Sequence, residues 1–184
     1  DGHMGRHFEG GEIERLVVEE ILRSSADAVV FSGDLTTTAL ADEFRMARDL
    51  FAPIREKWGE RFLLIPGNHD RYTPAALRRR HYEANFPHAL TVEPSRPVAS
   101  RVIADAKNGK GATDGNGIAF VGFDAAVPRR IESTGLFSSA VAEALDAELA
   151  RQEKEGRPVV LIGHFPYAAP AGVRAKHGHR LVGA

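Results

Sequence analysis

The sequence predicts an α/β fold of layered sheets flanked by helices, and three observations carry that reading. Short apolar runs alternate with longer segments whose apolar residues recur at helical period. Three of the runs, "VVFSGD", "LLIPGNHD" and "VVLIGHFP", stop in a glycine followed at once by a carboxylate, amide or imidazole. The chain has 184 residues, 43% of them hydrophobic, which fits one compact domain over residues 1–184.

In chain order, "GEIERLVVEEILRSS" reads as an amphipathic helix with Ile13, Leu16, Val17 and Ile21 on one face, entered through Gly10 and Gly11. "ADAVVFSGD" is a short continuous apolar run closed by Gly33, the pattern of a strand covered on both faces. "LADEFRMARDLFAPIREKWG" repeats Leu40, Phe44, Ala47, Phe51, Ile54 and Trp58 in steps of four and three, with Pro53 set to kink it. "RFLLIPGNHD" is the next strand. "TPAALRRRHYEANF" is the next helix, with Thr73 as N-cap and Pro74 in its first turn. "GIAFVGFD" is a strand, "FSSAVAEALDAELARQEKEG" a helix and "PVVLIGHFP" a last strand. The glycine-rich "NGKGATDGNG" lacks the spacing of a phosphate-binding loop and runs into a strand, so it reads as a hairpin tip or surface loop.

Composition narrows the function. The 24 basic and 25 acidic residues leave a net charge of −1, with no global footprint for nucleic acid or an anionic membrane. Arg78, Arg79 and Arg80 lie on a capped helix beside Glu83 and read as a solvated face. Phe44, Phe51 and Trp58 read as core, not as a stacking platform. No cysteine is present, so any metal must be held by His, Asp, Glu, Asn or water. No run of 18 apolar residues and no signal-peptide pattern is visible, and the expected location is cytoplasmic.

In open α/β sheets ligands bind beyond the carboxyl ends of the strands, where following loops face one crevice. Asp34, Asn68, His69, Asp70 and His164 all sit just past a strand end, and all except Asp70 suit direct ligation of a divalent transition metal. The strands ending near Ser32, Ile65 and Ile162 are therefore expected in one sheet, with Asp34, Asn68 and His164 around a common centre. Each piece alone has a plainer reading: "GD" as a turn or helix cap, "GNHD" as an Asx turn, His164 as a hydrogen-bonded core histidine. Three in order around one predicted edge favour the metal site.

Those blocks carry a resemblance. "GDLT" at Gly33 to Thr36, "GNHD" at Gly67 to Asp70 and "GHFP" at Gly163 to Pro166 resemble three of the five signature blocks of the calcineurin-like metallophosphoesterases, and "DGH" at Asp1 to His3 is similar to a fourth, D-x-H. The stretch from Ile118 to Leu149 resembles the branch holding the class III cyclic nucleotide and glycerophosphodiester phosphodiesterases. The resemblance implies a four-layer αββα sandwich and a binuclear centre of two divalent ions, Mn, Fe or Zn. Asp1 and His3 would hold one ion, Asp34 would bridge, and Asn68 and His164 would serve the second. His69 would protonate the leaving oxygen or steady the transition state, with Asp70 orienting it from behind. A hydroxide shared by the ions would attack phosphorus.

The implied activity is hydrolysis of a small phosphodiester or nucleotide. A phosphomonoesterase or nuclease on the same site, and a metal-poor interaction domain, are the alternatives. The sequence departs from the family pattern at both ends. Asp1 opens the chain with no strand before it, and "GHM" is also what a cleaved tag leaves. The fifth block, G-H-x-H, is absent: "KHGHRL" offers His177 and His179, but the stretch reads as the run into a helix. The chain is thus expected to lack its first strand and its C-terminal part.

Overall fold

A computed structural model describes residues 11–90, 95–104, 117–128, 135–165 and 181–182. Helix α1 (Glu12–Arg23) leads to strand β1 (Val29–Phe31), helix α2 (Ala41–Trp58) and, after a single 3₁₀ turn, strand β2 (Phe62–Leu64). Two short helices follow, α3 (Pro74–Arg79) and α4 (His81–Asn85), then strands β3 (Val98–Ile103), β4 (Ile118–Phe123) and β5 (Gly135–Leu136). Helix α5 (Ser139–Lys154), strand β6 (Val159–Ile162) and strand β7 (Leu181–Val182) complete the order.

The strands divide among separate sheets. β1 pairs in parallel with β2. β4 stands between β3, antiparallel, and β6, parallel. β5 and β7 form a short parallel pair of their own. The expectation of one sheet is corrected here: the strand ending at Ile162 belongs to the second sheet, because its hydrogen-bond partner is β4. The segment expected to run into a helix also differs, since Leu181–Val182 is a strand.

Alternation of side chains builds four layers from this topology. Val29, Phe31, Phe62 and Leu64 point to one face of the first sheet and pack with Phe44, Ala47, Phe51, Ile54 and Trp58 of α2. Leu63 and Ile65 point to the other face and meet Ile162, Ala99, Ile103 and Phe120 of the second sheet. Val121 and Phe123 face away again, onto Val141 and Leu145 of α5. The order is helix, sheet, sheet, helix. Gly122 sets how closely the sheets approach, for a Cβ there would lie 2.9 Å from Ile65 Cγ2 and 3.0 Å from Leu90 Cδ2.

Local chemistry explains most boundaries. Glu43 reaches back from the first turn of α2, its carboxylate accepting from Leu40 N (2.9 Å), Thr38 N (3.0 Å) and the Thr38 hydroxyl (3.1 Å). The helix continues through Pro53 to Trp58. Thr73 Oγ1 caps α3 at Ala76 N (3.1 Å), and Ser138 Oγ caps α5 at Val141 N (3.3 Å). The single helix expected after Thr73 is broken at Arg80, which adopts the left-handed conformation (φ 51°) and separates α3 from α4.

Two further expectations change. α1 turns Val18, Ile21 and Leu22 inward, leaving Ile13, Leu16 and Val17 exposed at 73%, 55% and 49%. The reason is where it is pinned: Lys57 Nζ donates to Leu22 O and Ser24 O, and Trp58 Nε1 to Ala26 O, all at its C-terminal end. β1 is not covered on both faces, since Val30 keeps 40% of its surface exposed. No helix among the described residues is long and apolar enough to cross a membrane.

Gly122→Val should destabilise the protein by about 1–3 kcal/mol, because the added methyl groups would force the two sheets apart. Urea unfolding checks this, and an unchanged midpoint would contradict the close sheet approach.

Candidate metal centre

The site grows from two glycines that touch. The chain leaves β1 through Gly33 (φ 101°) and places Asp34 in the left-handed region (φ 59°). A Cβ on Gly33 would collide with the Gly67 backbone, and a Cβ on Gly67 with the Asp34 carboxylate. The loops after β1 and β2 therefore pass back to back at a distance only glycine permits.

A buried carboxylate staples them. Asp70 Oδ2 accepts from Gly67 N (2.9 Å), while Oδ1 accepts from Thr36 N (3.0 Å) and the Thr36 hydroxyl (3.1 Å). Asp70 is 2% exposed and Thr36 fully buried. Burial pushes the Asp70 carboxyl up to about 6, the Gly67 N–H opposes that shift, and the neighbouring Asp34 charge adds to it. Asp70, expected to orient the His69 ring from behind, turns its oxygens to Thr36 and Gly67. The ring takes its orientation from Thr37, whose carbonyl oxygen lies 2.6 Å from His69 Nδ1, and stacks on Tyr72 with centroids 5.5 Å apart.

Asp34, Asn68 and His164 converge although they come from two sheets. His164 Nδ1 lies 2.8 Å from Ser32 O, and a carbonyl only accepts, so that nitrogen carries the proton. His164 Nε2 then faces Asn68 Oδ1 at 3.0 Å and Asp34 Oδ2 at 3.3 Å. The second Asp34 oxygen accepts from His69 N (2.9 Å). In the neutral ring three lone-pair donors would point at one another with nothing positive between them. Burial alone would raise the Asp34 carboxyl, but the hydrogen bond and charge of His164 outweigh it and hold it below the usual range. Burial would likewise depress His164, yet its bond to Asp34 and the Asp34 charge raise it.

That arrangement fits a cation. A positive charge at the meeting point, either a proton on His164 or a metal ion, satisfies all three groups, and carboxylate, amide oxygen and imidazole suit a divalent transition metal. Asp34 is 4% and Asn68 8% exposed, so water does little to relieve the convergence. No group of three or more His, Cys, Asp or Glu side chains placed to hold a metal ion occurs among the described residues, and the third group here is an amide. Asp1, His3, Pro166, His177 and His179 lie outside the described residues.

Sequence reasoning missed Arg71 and Asp124. Arg71 is 2% exposed and pairs with Glu83 and with Asp124, the latter at 3.1 Å. Glu83 thus serves Arg71, while Arg78, Arg79 and Arg80 lie exposed. Burial pushes the Asp124 carboxyl up to about 6, against the pull of Arg71. A signal was present: "VGFD" also closes an apolar run with glycine and carboxylate nearby.

The architecture is thus of the αββα class, two packed sheets between helices, with strand-end loops that bring carboxylate, amide and imidazole groups to one crevice. The calcineurin-like phosphoesterase family matches residues 7–183, and the chain belongs to it. The chain is also similar to glycerophosphodiester phosphodiesterase GpdQ of Enterobacter lignolyticus (strain SCF1), with 26% identity over 167 residues. The match covers 88% of this chain and 51% of the relative, so the chain spans about half the relative's length.

Thr36→Val keeps the shape but removes the hydroxyl that meets Asp70. The expected cost is about 1–3 kcal/mol, read as a lower urea midpoint at neutral pH. A midpoint equal to that of the parent protein would show that the staple holds without it.

Proposed function

We propose that the chain carries the metal site of a phosphodiesterase, in which Asp34, Asn68 and His164 would serve one ion of a binuclear centre and Asp1 and His3 the other. The observation that carries this is the convergence of Asn68 Oδ1 (3.0 Å) and Asp34 Oδ2 (3.3 Å) on His164 Nε2. Membership of the phosphoesterase family supports hydrolysis of a phosphoester, and the similarity to a glycerophosphodiester phosphodiesterase favours a small diester. Bound divalent ions would supply charge neutralisation at phosphorus and a nucleophile at neutral pH.

The chain's own residues do the rest. Asp34 contributes a carboxylate with one oxygen turned to the centre and the other fixed by His69 N, so its orientation is set before anything binds. His164 keeps Nε2 available through its Nδ1 proton, held by Ser32. His69, with Nδ1 facing the Thr37 carbonyl, carries any second proton on Nε2, from which it is passed to the leaving oxygen. Asp70 acts through the loop, by fixing where Asn68 and His69 stand.

Asp34→Asn should lower both bound metal and turnover. His69→Ala should keep the metal and lose roughly 10²–10⁴ in kcat. Elemental analysis together with hydrolysis of bis(p-nitrophenyl) phosphate in Mn²⁺ checks both. Complete metal loss in His69→Ala would make His69 a ligand instead, and faster hydrolysis of p-nitrophenyl phosphate than of the diester would favour a monoesterase.

A further inference from the structure

The Asp34 and Asn68 loops stand on the first sheet and His164 on the second, so something must set the gap between them. Arg71 is placed to do so. Its backbone N–H donates to Asn68 O (3.2 Å), closing the turn that carries Asn68 and His69. Its guanidinium leaves that turn and bonds Asp124 Oδ2 at 3.1 Å, with Glu83 of α4 holding the other terminal nitrogen. Asp124 is itself fixed, its backbone N–H donating to Pro97 O (2.8 Å) and its Oδ1 accepting from Ala126 N (2.8 Å). It stands just past the end of β4, whose Gly122 is in register with Ile162 on β6, two residues before His164. Asn68, Arg71, Asp124, β4, β6 and His164 thus form a closed circuit, completed by the 3.0 Å approach of His164 Nε2 to Asn68 Oδ1.

We propose that Arg71 is a positioning residue: anchored on Asp124, it fixes the separation of Asn68 from His164 and so the geometry of the site. The proposal rests on the reading of those two side chains as metal ligands. An arginine suits the task because two planar prongs hold two carboxylates in fixed directions, which a lysine ammonium does not. Both prongs are buried, so water does not loosen them.

The test uses Arg71→Met, Arg71→Lys and Asp124→Asn, with Asp34→Asn as the control for direct ligation. Mn²⁺ affinity by calorimetry and the His164 ring nitrogen resonances in metal-free, ¹⁵N-histidine-labelled protein are read alongside thermal melting. Arg71→Met and Asp124→Asn should each weaken Mn²⁺ binding roughly 10–100-fold. Arg71→Lys should recover only part of the loss, and combining Arg71→Met with Asp124→Asn should bind no worse than Arg71→Met alone. The His164 resonances should shift in every variant that breaks the Asp124 bond. Lower melting temperatures with unchanged Mn²⁺ affinity and unchanged His164 resonances would reduce Arg71 to a structural ion pair and overturn the proposal. If the parent protein binds no Mn²⁺, the ligand reading fails, while the metal-free resonances still decide whether Arg71 positions His164. If Arg71→Met does not fold, Arg71→Lys and Asp124→Asn carry the same decision.

Discussion

Everything at the site depends on one buried carboxylate that joins two loops. Asp70 draws the Thr36 and Gly67 backbones together, and the glycines at 33 and 67 let the loops touch. Asp34 can stand in a left-handed conformation because its surroundings over-determine it, and a short polar side chain tolerates that region better than most. The Asp70 charge is costly in such a place, which is why its carboxyl rises to about 6 despite three donors. Stability from the raised group is greatest when Asp70 is protonated and declines as pH climbs from its unfolded value toward 6, so neutral pH stores part of that cost in the native loop.

The second dependence is the packing of two sheets. Neither sheet alone holds the convergent groups, and a small residue at 122 brings Ile65 and Leu90 against β4 closely enough for His164 to reach Asn68. Apolar contact between Leu63, Ile65 and Ile162 supplies the adhesion, while Arg71 and Asp124 supply direction. Dispersion and burial are indifferent to small slides, whereas a forked ion pair is not. The division of labour explains why a buried charge network adjoins a site that needs precise spacing.

Much of this was readable in the sequence, for physical reasons that also mark where reading stops. The α2 stripe of Phe44, Ala47, Phe51, Ile54 and Trp58 is buried because its period matches the helix, and the Thr73 cap behaves as its chemistry demands. The face of α1 is not legible, since Ile13, Leu16 and Val17 satisfy the same periodicity as an inner stripe, while the tethers from Lys57 and Trp58 hold its C-terminal end. Sheet membership is hidden because apolar runs do not name their partners, so the strands ending near Ser32, Ile65 and Ile162 read as one sheet although the last pairs beside β4. The motifs brought Asp34, Asn68 and His164 to attention, but the role of Asp70 depended on which donors lay nearby. Arg80 in a left-handed turn has no local signature at all.

Sequence distance has a consequence for how such a protein comes into being. Ser32 and Asn68 lie 132 and 96 positions from the histidine they touch, so the crevice closes only after nearly the whole described chain has been made and both sheets have docked. Contacts that far apart form late, since closing a long loop costs entropy before any bond repays it. On a ribosome, the first sheet and its glycine loops can assemble while His164 is still unsynthesised. The groups that meet His164 therefore stand in place unjoined until the last of them is made, and the crevice takes its shape at the end of folding.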